Sequence, residues 1–134
     1  MALNAIDGML AREHAMKSDL GAILNEMGDV VADTAIYLPF ALVPGIAPWQ
    51  VVIFVVLAIL SEMMGVVSVQ IGASRRYDGP MGKSDRAFAI GLLSLLLGLG
   101  VDGSSWVSIF FYVLIGLTAI TILNRSRRGL AELK

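Results

Sequence analysis

The stretch NAIDGMLAREHAMKSDLGAILNEMGD, residues 4–29, decides the fold of this chain. It holds the ends of two apolar segments, and each end carries acidic, amide or glycine residues at helical spacing. Ionisable side chains inside a membrane are costly, and a membrane protein that keeps them there generally uses them. The stretch therefore predicts two membrane helices whose polar residues build a functional site.

The remainder of the chain predicts an all-α, polytopic membrane helical bundle. Apolar residues make up 57% of the sequence, and the mean hydropathy is +0.78. A helix of about 20 residues crosses the hydrocarbon core of a bilayer. Four segments approach or exceed that length, and a half-helix over residues 1–12 precedes them. The four predicted spans are residues 19–43, 49–68, 84–101 and 105–123.

The basic residues predict how these spans are oriented. All ten lysines and arginines fall at alternate ends of the four spans, which places those ends in the cytosol by the positive-inside tendency. A soluble helical bundle would instead spread its charges along exposed helix faces. The net charge is −1, and no aromatic platform stands outside the spans, so we expect a lipid bilayer and no nucleic acid as partner.

Two polar stripes predict a metal site. Asn4 and Asp7 are three residues apart on the half-helix, and Gly21, Asn25 and Asp29 recur every four residues on the next helix. If the two stripes face each other, Asp7 and Asp29 lie on opposite walls of one pocket. Such oxygen ligands suit Mg²⁺ or Mn²⁺, which would bridge to a diphosphate.

Small residues and one arginine accompany these ligands. Gly8 and Ala11 let a ligand approach the helix backbone closely. Arg12 supplies a planar fork of donors that matches the geometry of a phosphate group. These residue types indicate a nucleotide or phosphate ligand beside the metal site.

The pattern from Asp7 to Asp29, D-G-x2-A-R-x8-G-x3-N-x3-D, resembles the signature of the CDP-alcohol phosphatidyltransferase family, D-x2-D-G-x2-A-R-x8-G-x3-D-x3-D. The spacing is complete, and Asn4 and Asn25 stand at two of the four aspartate positions. The resemblance implies a homodimeric enzyme of the bacterial inner membrane, with its active site facing the cytosol. It would transfer a phosphatidyl or related group from CDP-diacylglycerol or another CDP-alcohol to a small alcohol acceptor, with release of CMP, in phospholipid biosynthesis.

The resemblance also assigns roles to individual positions. It implies that Asp29 is the general base. The implied ligands of Mg²⁺ or Mn²⁺ are Asn4, Asp7, Asn25 and Asp29. The implied contacts to the CDP moiety are Gly8, Ala11, Arg12 and Gly21. Because two amides replace two carboxylates, the formal negative charge around the metal is halved, and we expect weaker metal affinity.

The polar connection after the second predicted span offers a place for the acceptor. Its segment GPMGKSDR, residues 79–86, looks like one found in many bacterial relatives. We expect Ser84 and Asp85 to cap the following helix, which leaves Lys83 and Arg86 for an acceptor phosphate. The alternative is a basic membrane anchor that contacts anionic headgroups.

Three other groups of charged residues are open to interpretation. Glu62 lies within the second predicted span, and we expect it to form a structural hydrogen bond or ion pair. Asp33 continues the Asn25–Asp29 stripe. Three roles would account for a carboxylate at this position: a buried ion pair, a place in a water-filled cavity, or catalysis. We expect the last three arginines of the chain to act as topological anchors: Arg125, Arg127 and Arg128.

The beginning of the chain leaves two interpretations. Family members carry one whole helix and most of another before the motif. The resemblance therefore implies that Met1 is an internal methionine and that residues 1–134 form a single membrane domain lacking those parts. Alternatively, residues 1–12 lie along the cytosolic interface as a short amphipathic helix.

Two other functions are compatible with length and composition. One is a small four-span transporter in which a membrane carboxylate couples to protons, although a transporter needs neither Arg12 nor two acidic stripes. The other is an inactive truncated homologue that acts as an assembly partner. Metal-dependent release of CMP distinguishes the enzyme from both.

Overall fold

The computed structural model describes residues 19–75, 79–102 and 105–134. Those ranges contain helices and no strand, which confirms the all-α prediction. Backbone packing divides the chain into two compact units, Met1–Ala35 and Ile36–Lys134. The α-helices are α1 (Asp19–Tyr37), α2 (Pro48–Gln70), α3 (Lys83–Gly98) and α4 (Val107–Glu132), with a 3-10 helix (Leu38–Leu42) after α1.

Two of these helices are long and apolar enough to cross a membrane. They are α2, with 23 residues, and α4, with 26. The α2 helix matches the second predicted span closely, and α4 contains most of the fourth but extends nine residues beyond its predicted end at residue 123. In contrast, α3 has only 16 residues. The 19 residues of α1 include four acidic ones: Asp19, Glu26, Asp29 and Asp33. The four-span topology therefore stays a prediction.

The first and third predicted spans extend several residues beyond the ends of the helices in the structure. The α1 helix ends at Tyr37 rather than at residue 43, because Pro39 has no N–H for the carbonyl of Ala35 and its ring crowds that carbonyl. The chain tightens there into the 3-10 helix. The α3 helix ends at Gly98 rather than at residue 101, and the Val101 N–H closes its last turn on the Leu96 carbonyl at 3.1 Å.

The α2 and α4 helices pack side by side and run in the same direction. Near their starts, the Gln50 side-chain Nε2 donates to the Ser108 Oγ at 3.1 Å. Near their ends, the Glu132 carboxylate accepts from the Ser74 backbone N–H at 2.9 Å and from the Ser74 hydroxyl at 2.8 Å. Since the helices are parallel, the chain between them must return to the starting end, and α3 lies within that return. This direction agrees with the basic residues, which predict cytosolic ends for both helices.

The first half of the seam between α2 and α4 is apolar. Its buried residues follow a spacing of three and four, as expected for two helices packed along their length. The rings of Phe54 and Phe111 meet edge to face, with centroids 6.2 Å apart. The other buried apolar residues of this half are Val51, Val55, Ala58, Val107 and Leu114.

The second half of the same seam is small and polar. Small and hydroxylated residues let membrane helices approach closely and hydrogen-bond. A Cβ added at Gly129 would lie 3.0 Å from the Ser68 Oγ, so the backbones are close at this point. The buried residues of this half are Ser61, Gly65, Ser68, Thr118, Thr121, Arg125 and Gly129. The seam thus supplies a polar interior near the predicted cytosolic end.

Each of the four helices also carries large apolar side chains on its outside. Leu24 of α1 is 62% exposed, Phe88 of α3 is 73% exposed and Leu123 of α4 is 62% exposed. Exposed apolar surface on this scale is typical of a protein surrounded by lipid or by other subunits. The arrangement agrees with the predicted membrane class.

The end of the connection between α2 and α3, from Gly79 to Met81, packs directly on α4. Gly79 has a φ of 118°, and a Cβ at this position would lie 2.6 Å from Thr121 Cγ2 and 2.7 Å from Thr121 Cα. The hydroxyl of Thr121 accepts from the Met81 backbone N–H at 2.9 Å. Both the conformation and the contact therefore require glycine at residue 79.

We expect Gly79→Ala to lower the free energy of unfolding by about 1–3 kcal/mol, because the added methyl group collides with the α4 backbone. Thermal unfolding in detergent micelles measures this effect. The matched control is Gly91→Ala, since a Cβ at Gly91 meets nothing within 4 Å and alanine is the better helix former. Equal stability of the two variants would contradict this account of the connection.

Candidate functional site

The described half of the predicted motif lies on α1. Gly21, Asn25 and Asp29 follow one another at intervals of four residues along this helix, so they share one face. Gly21 and Asn25 are exposed, and Asp29 is half-buried. Asp33, one turn further on, is also half-buried.

The other half of the motif lies outside the described residues: Asn4, Asp7, Gly8, Ala11 and Arg12. Within residues 19–75, 79–102 and 105–134, no three acidic or histidine side chains cluster as a metal site would require. The described part of the ligand set is nevertheless chemically suitable. Asn25 supplies an amide oxygen and Asp29 a carboxylate, one helical turn apart, and both are ligands that Mg²⁺ or Mn²⁺ accepts. The pocket between two facing stripes stays a prediction.

A second group of polar residues comes together at the polar half of the α2–α4 seam. Three arginines converge there on the carboxylate of Glu62, and we call the group the arginine cluster: Arg75, Arg86, Arg125 and Glu62. Arg86 Nη2 donates to Glu62 Oε1 at 2.8 Å. Arg125 Nη1 lies 3.7 Å from the same oxygen, and Arg75 Nη2 lies 3.5 Å from Oε2. The predicted ion-pair role of Glu62 is confirmed.

Ser61 provides further hydrogen bonds to the two buried arginines, Arg86 and Arg125. Its hydroxyl accepts from Arg86 Nη1 at 3.0 Å and donates to the Ala58 carbonyl at 2.8 Å. Its backbone carbonyl accepts from Arg125 Nη1. Arg86 Nη1 also donates to the Met81 carbonyl, at 3.2 Å. Buried charges are tolerated only where they are paired and hydrogen-bonded. Arg86 meets both conditions through Nη1 and Nη2, while its Nε makes no hydrogen bond to a described residue.

The arginine cluster joins three segments of the chain to Glu62 on α2. Arg75 lies in the connection after α2, Arg86 in the first turn of α3, and Arg125 near the end of α4. The bonds from Ser74 to Glu132 and from Met81 to Thr121 hold the same connection against α4. The described residues on either side of positions 76–78 are therefore held against α4 at the predicted cytosolic end.

The start of α3 carries the residues predicted for the acceptor. Asp85 Oδ2 accepts from the Gly82 backbone N–H at 3.1 Å, so Asp85 closes the helix end as predicted. Ser84 does not cap the helix: Gly82 is the N-cap residue and Ser84 lies within the first turn. Lys83 is half-buried at the first helical residue, whereas Arg86 is buried inside the arginine cluster.

The interpretation of Arg125 as a topological anchor is wrong. Its exposed fraction is only 1%, and it points into the arginine cluster, whereas Arg127 and Arg128 are exposed. The sequence does contain a pattern that indicates the burial of Arg125. Residue 125 continues the spacing of three and four that Thr118 and Thr121 begin, and residue 127 does not.

Comparisons with known proteins agree with the motif. The family model for CDP-alcohol phosphatidyltransferases matches residues 1–123. The inner membrane protein YnbA of Escherichia coli (strain K12) is 42% identical over 127 residues, which is 95% of this chain and 63% of that protein. No solved structure matches the chain. With the motif spacing and a family match over most of the sequence, the chain belongs to the CDP-alcohol phosphatidyltransferase family.

Proposed function

We propose that this protein transfers a phosphatidyl or related phospho-alcohol group from a CDP-alcohol to an acceptor hydroxyl, with release of CMP, in the bacterial inner membrane. The observation that carries the proposal is the complete motif spacing from Asp7 to Asp29, whose described half shares one face of α1. Support for the compartment comes from the apolar helices α2 and α4 and from the inner-membrane relative.

Four oxygen donors would hold Mg²⁺ or Mn²⁺ in this proposal: Asn4, Asp7, Asn25 and Asp29. When bound, the ion neutralises negative charge on the diphosphate of the donor. Asn4 and Asn25 bring oxygen without charge, so the two aspartates carry the electrostatic attraction for the ion. The nucleotide side of the donor would lie against Gly8, Ala11 and Gly21, with Arg12 on a phosphate.

Asp29 is the proposed general base. It takes the proton of the acceptor hydroxyl as the hydroxyl oxygen forms a bond to the lipid-side phosphorus of the diphosphate. The bond between that phosphorus and the bridging oxygen breaks, and CMP leaves with the bridging oxygen. The half-buried position of Asp29 suits this role, because a base must be reachable by the substrate and shielded from bulk water.

An anionic group of the acceptor would bind at the start of α3. Lys83 and Arg75 are partly exposed, whereas Arg86 and Arg125 are buried. We therefore assign direct contact to Lys83 and Arg75, and we assign to Arg86 the support of this surface from inside. Cationic groups in this arrangement favour an acceptor that carries a phosphate or carboxylate.

We expect Lys83→Gln to raise the KM for an anionic acceptor about tenfold or more, with little change in kcat, because it removes a charge-assisted contact made in both ground and transition states. CMP release measured against acceptor concentration gives both constants. The control is Arg127→Gln, which removes an exposed cation from α4. An unchanged acceptor KM in Lys83→Gln would contradict this assignment.

The proposed transfer itself is tested against its two alternatives in membrane vesicles. Metal-dependent CMP release from a CDP-alcohol supports the transferase. Proton-coupled flux without CMP release supports a transporter, and neither activity indicates an inactive assembly partner. The homodimer, the single membrane domain over residues 1–134 and a role in phospholipid biosynthesis belong to the same proposal, and cross-linking together with lipid analysis tests them.

A further inference from the structure

Glu62 holds both sides of the connection between α2 and α3. One carboxylate oxygen accepts from Arg86 at 2.8 Å, and the other lies 3.5 Å from Arg75. Arg75 precedes the connection's central residues, and Arg86 follows them in the first turn of α3. A single side chain on α2 thus sets the relative position of the two ends.

From this geometry we infer that Glu62 is a positioning residue of the acceptor site, where it holds Arg75 and the first turn of α3 so that Arg75 and Lys83 bind one anionic group together. The inference rests on the function proposed above. Glu62 does not contact the acceptor in this account, because its oxygens face the guanidinium groups of the protein.

Lys83 follows the position of Arg86 because the two residues are three apart on α3. Residues at this spacing lie on the same side of a helix, so a shift of Arg86 moves Lys83 with it. Arg86 is completely buried and donates to Ser61 and Met81 as well as to Glu62. The contacts to Ser61 and Glu62, both on α2, fix the height and rotation of the first turn of α3 relative to that helix.

The burial of these groups makes the effect of Glu62 large. The Glu62 side chain is 13% exposed and that of Arg86 is 0% exposed. Charge-assisted hydrogen bonds away from water are stronger than those at the surface, and a half-satisfied buried network is costly. Loss of the carboxylate would therefore displace Arg75 and Arg86 instead of leaving them in place.

The test uses the intact purified protein in detergent and inorganic phosphate as the probe. Phosphate is titrated, and the rise in the thermal unfolding midpoint gives the concentration for half-saturation. We expect Glu62→Gln to raise this concentration about tenfold or more, because the cationic side chains would no longer be held in the positions that bind the anion. The matched control is Glu132→Gln, which removes a different carboxylate that accepts two hydrogen bonds from Ser74 of the same connection.

Three results would overturn the inference. One is a half-saturation in Glu62→Gln equal to that of the unmodified protein. Another is a Glu132→Gln variant that weakens phosphate binding as much as Glu62→Gln does, since that would show general loosening of the connection. The third is an unmodified protein whose unfolding midpoint does not respond to phosphate.

Removal of Glu62 alone could prevent folding, because it leaves the buried arginines without their carboxylate. The charge-balanced variant Glu62→Gln/Arg125→Gln removes one negative and one positive group together. We expect it to fold and to bind phosphate as weakly as Glu62→Gln. Full phosphate affinity in this double variant would overturn the inference.

Kinetics separate this inference from the proposed function. We expect Glu62→Gln to raise the KM for the acceptor while kcat at saturating acceptor stays near its original value. CMP release with an unchanged acceptor KM would refute the positioning role and leave the transferase intact. Glu62-dependent phosphate binding without any CMP release would refute the transferase and leave the anion site intact.

Discussion

Asp29→Asn is expected to lower metal-dependent CMP release by about 10²–10⁴-fold, the range found when a general base is removed. Asparagine has nearly the shape of aspartate, so α1 should remain helical and the protein should still insert into membranes. The amide cannot take the proton of an acceptor hydroxyl, and it brings no charge to the metal. The loss should therefore appear mainly in kcat, with a rise in the metal concentration needed for activity.

The control for this variant is Asp19→Asn on the same helix. Asp19 is exposed in the first turn of α1 and lies outside the stripe of Gly21, Asn25 and Asp29. Its loss should cost only the small interaction of a carboxylate with a helix N-terminus, about 0.3–1 kcal/mol of stability. If Asp29→Asn kept the turnover of Asp19→Asn, Asp29 would not be the base.

Arg125→Met is expected to reduce the free energy of unfolding by about 3–5 kcal/mol, the cost of removing one partner from a buried ion pair. Arg125 is 1% exposed, donates to the Ser61 carbonyl and lies 3.7 Å from the Glu62 carboxylate. Methionine keeps a long flexible side chain at this position but supplies neither the charge nor the donors. Unfolding in detergent micelles, followed by circular dichroism, measures the change.

Arg127→Met is the matched control for this second prediction. Arg127 lies on the same helix and is exposed, so its replacement should change stability by less than about 0.5 kcal/mol. Similar losses in both variants would mean that Arg125 acts by its charge at the membrane surface rather than through the arginine cluster.

The helices themselves follow from the sequence because their cause is local. Long apolar segments between turn residues predict α2 and α4. The structure places α2 within two residues of its predicted limits, whereas α4 continues nine residues past its predicted end because its polar last turns pack against the rest of the bundle. The end of α1 was predictable as well, since Pro39 removes a helical donor. Hydropathy by itself predicts that the first span continues to residue 43. The reason is that the 3-10 helix after Tyr37 consists of apolar residues, like a membrane helix.

The same distinction applies to the candidate site: the part that lies on one helix can be predicted from the sequence, and the part built by tertiary packing cannot. The spacing of Gly21, Asn25 and Asp29 is visible in the sequence because it lies on one helix. The arginine cluster is not, since Glu62, Arg86 and Arg125 come from three helices and meet only through tertiary packing. A charge beside the end of a span predicts a membrane anchor by default, and only the seam spacing of α4 distinguishes buried Arg125 from exposed Arg127.

The most direct measurement of the central claim is transfer from CDP-diacylglycerol by the purified protein, with CMP and the new phospholipid quantified together. A panel of anionic alcohols serves as acceptor, with Mg²⁺ or Mn²⁺ present or removed by chelation. The account predicts equal amounts of CMP and lipid product, formed only with metal and lost in Asp29→Asn. Turnover that persists in Asp29→Asn, or CMP formed without a lipid product for any acceptor, would contradict it.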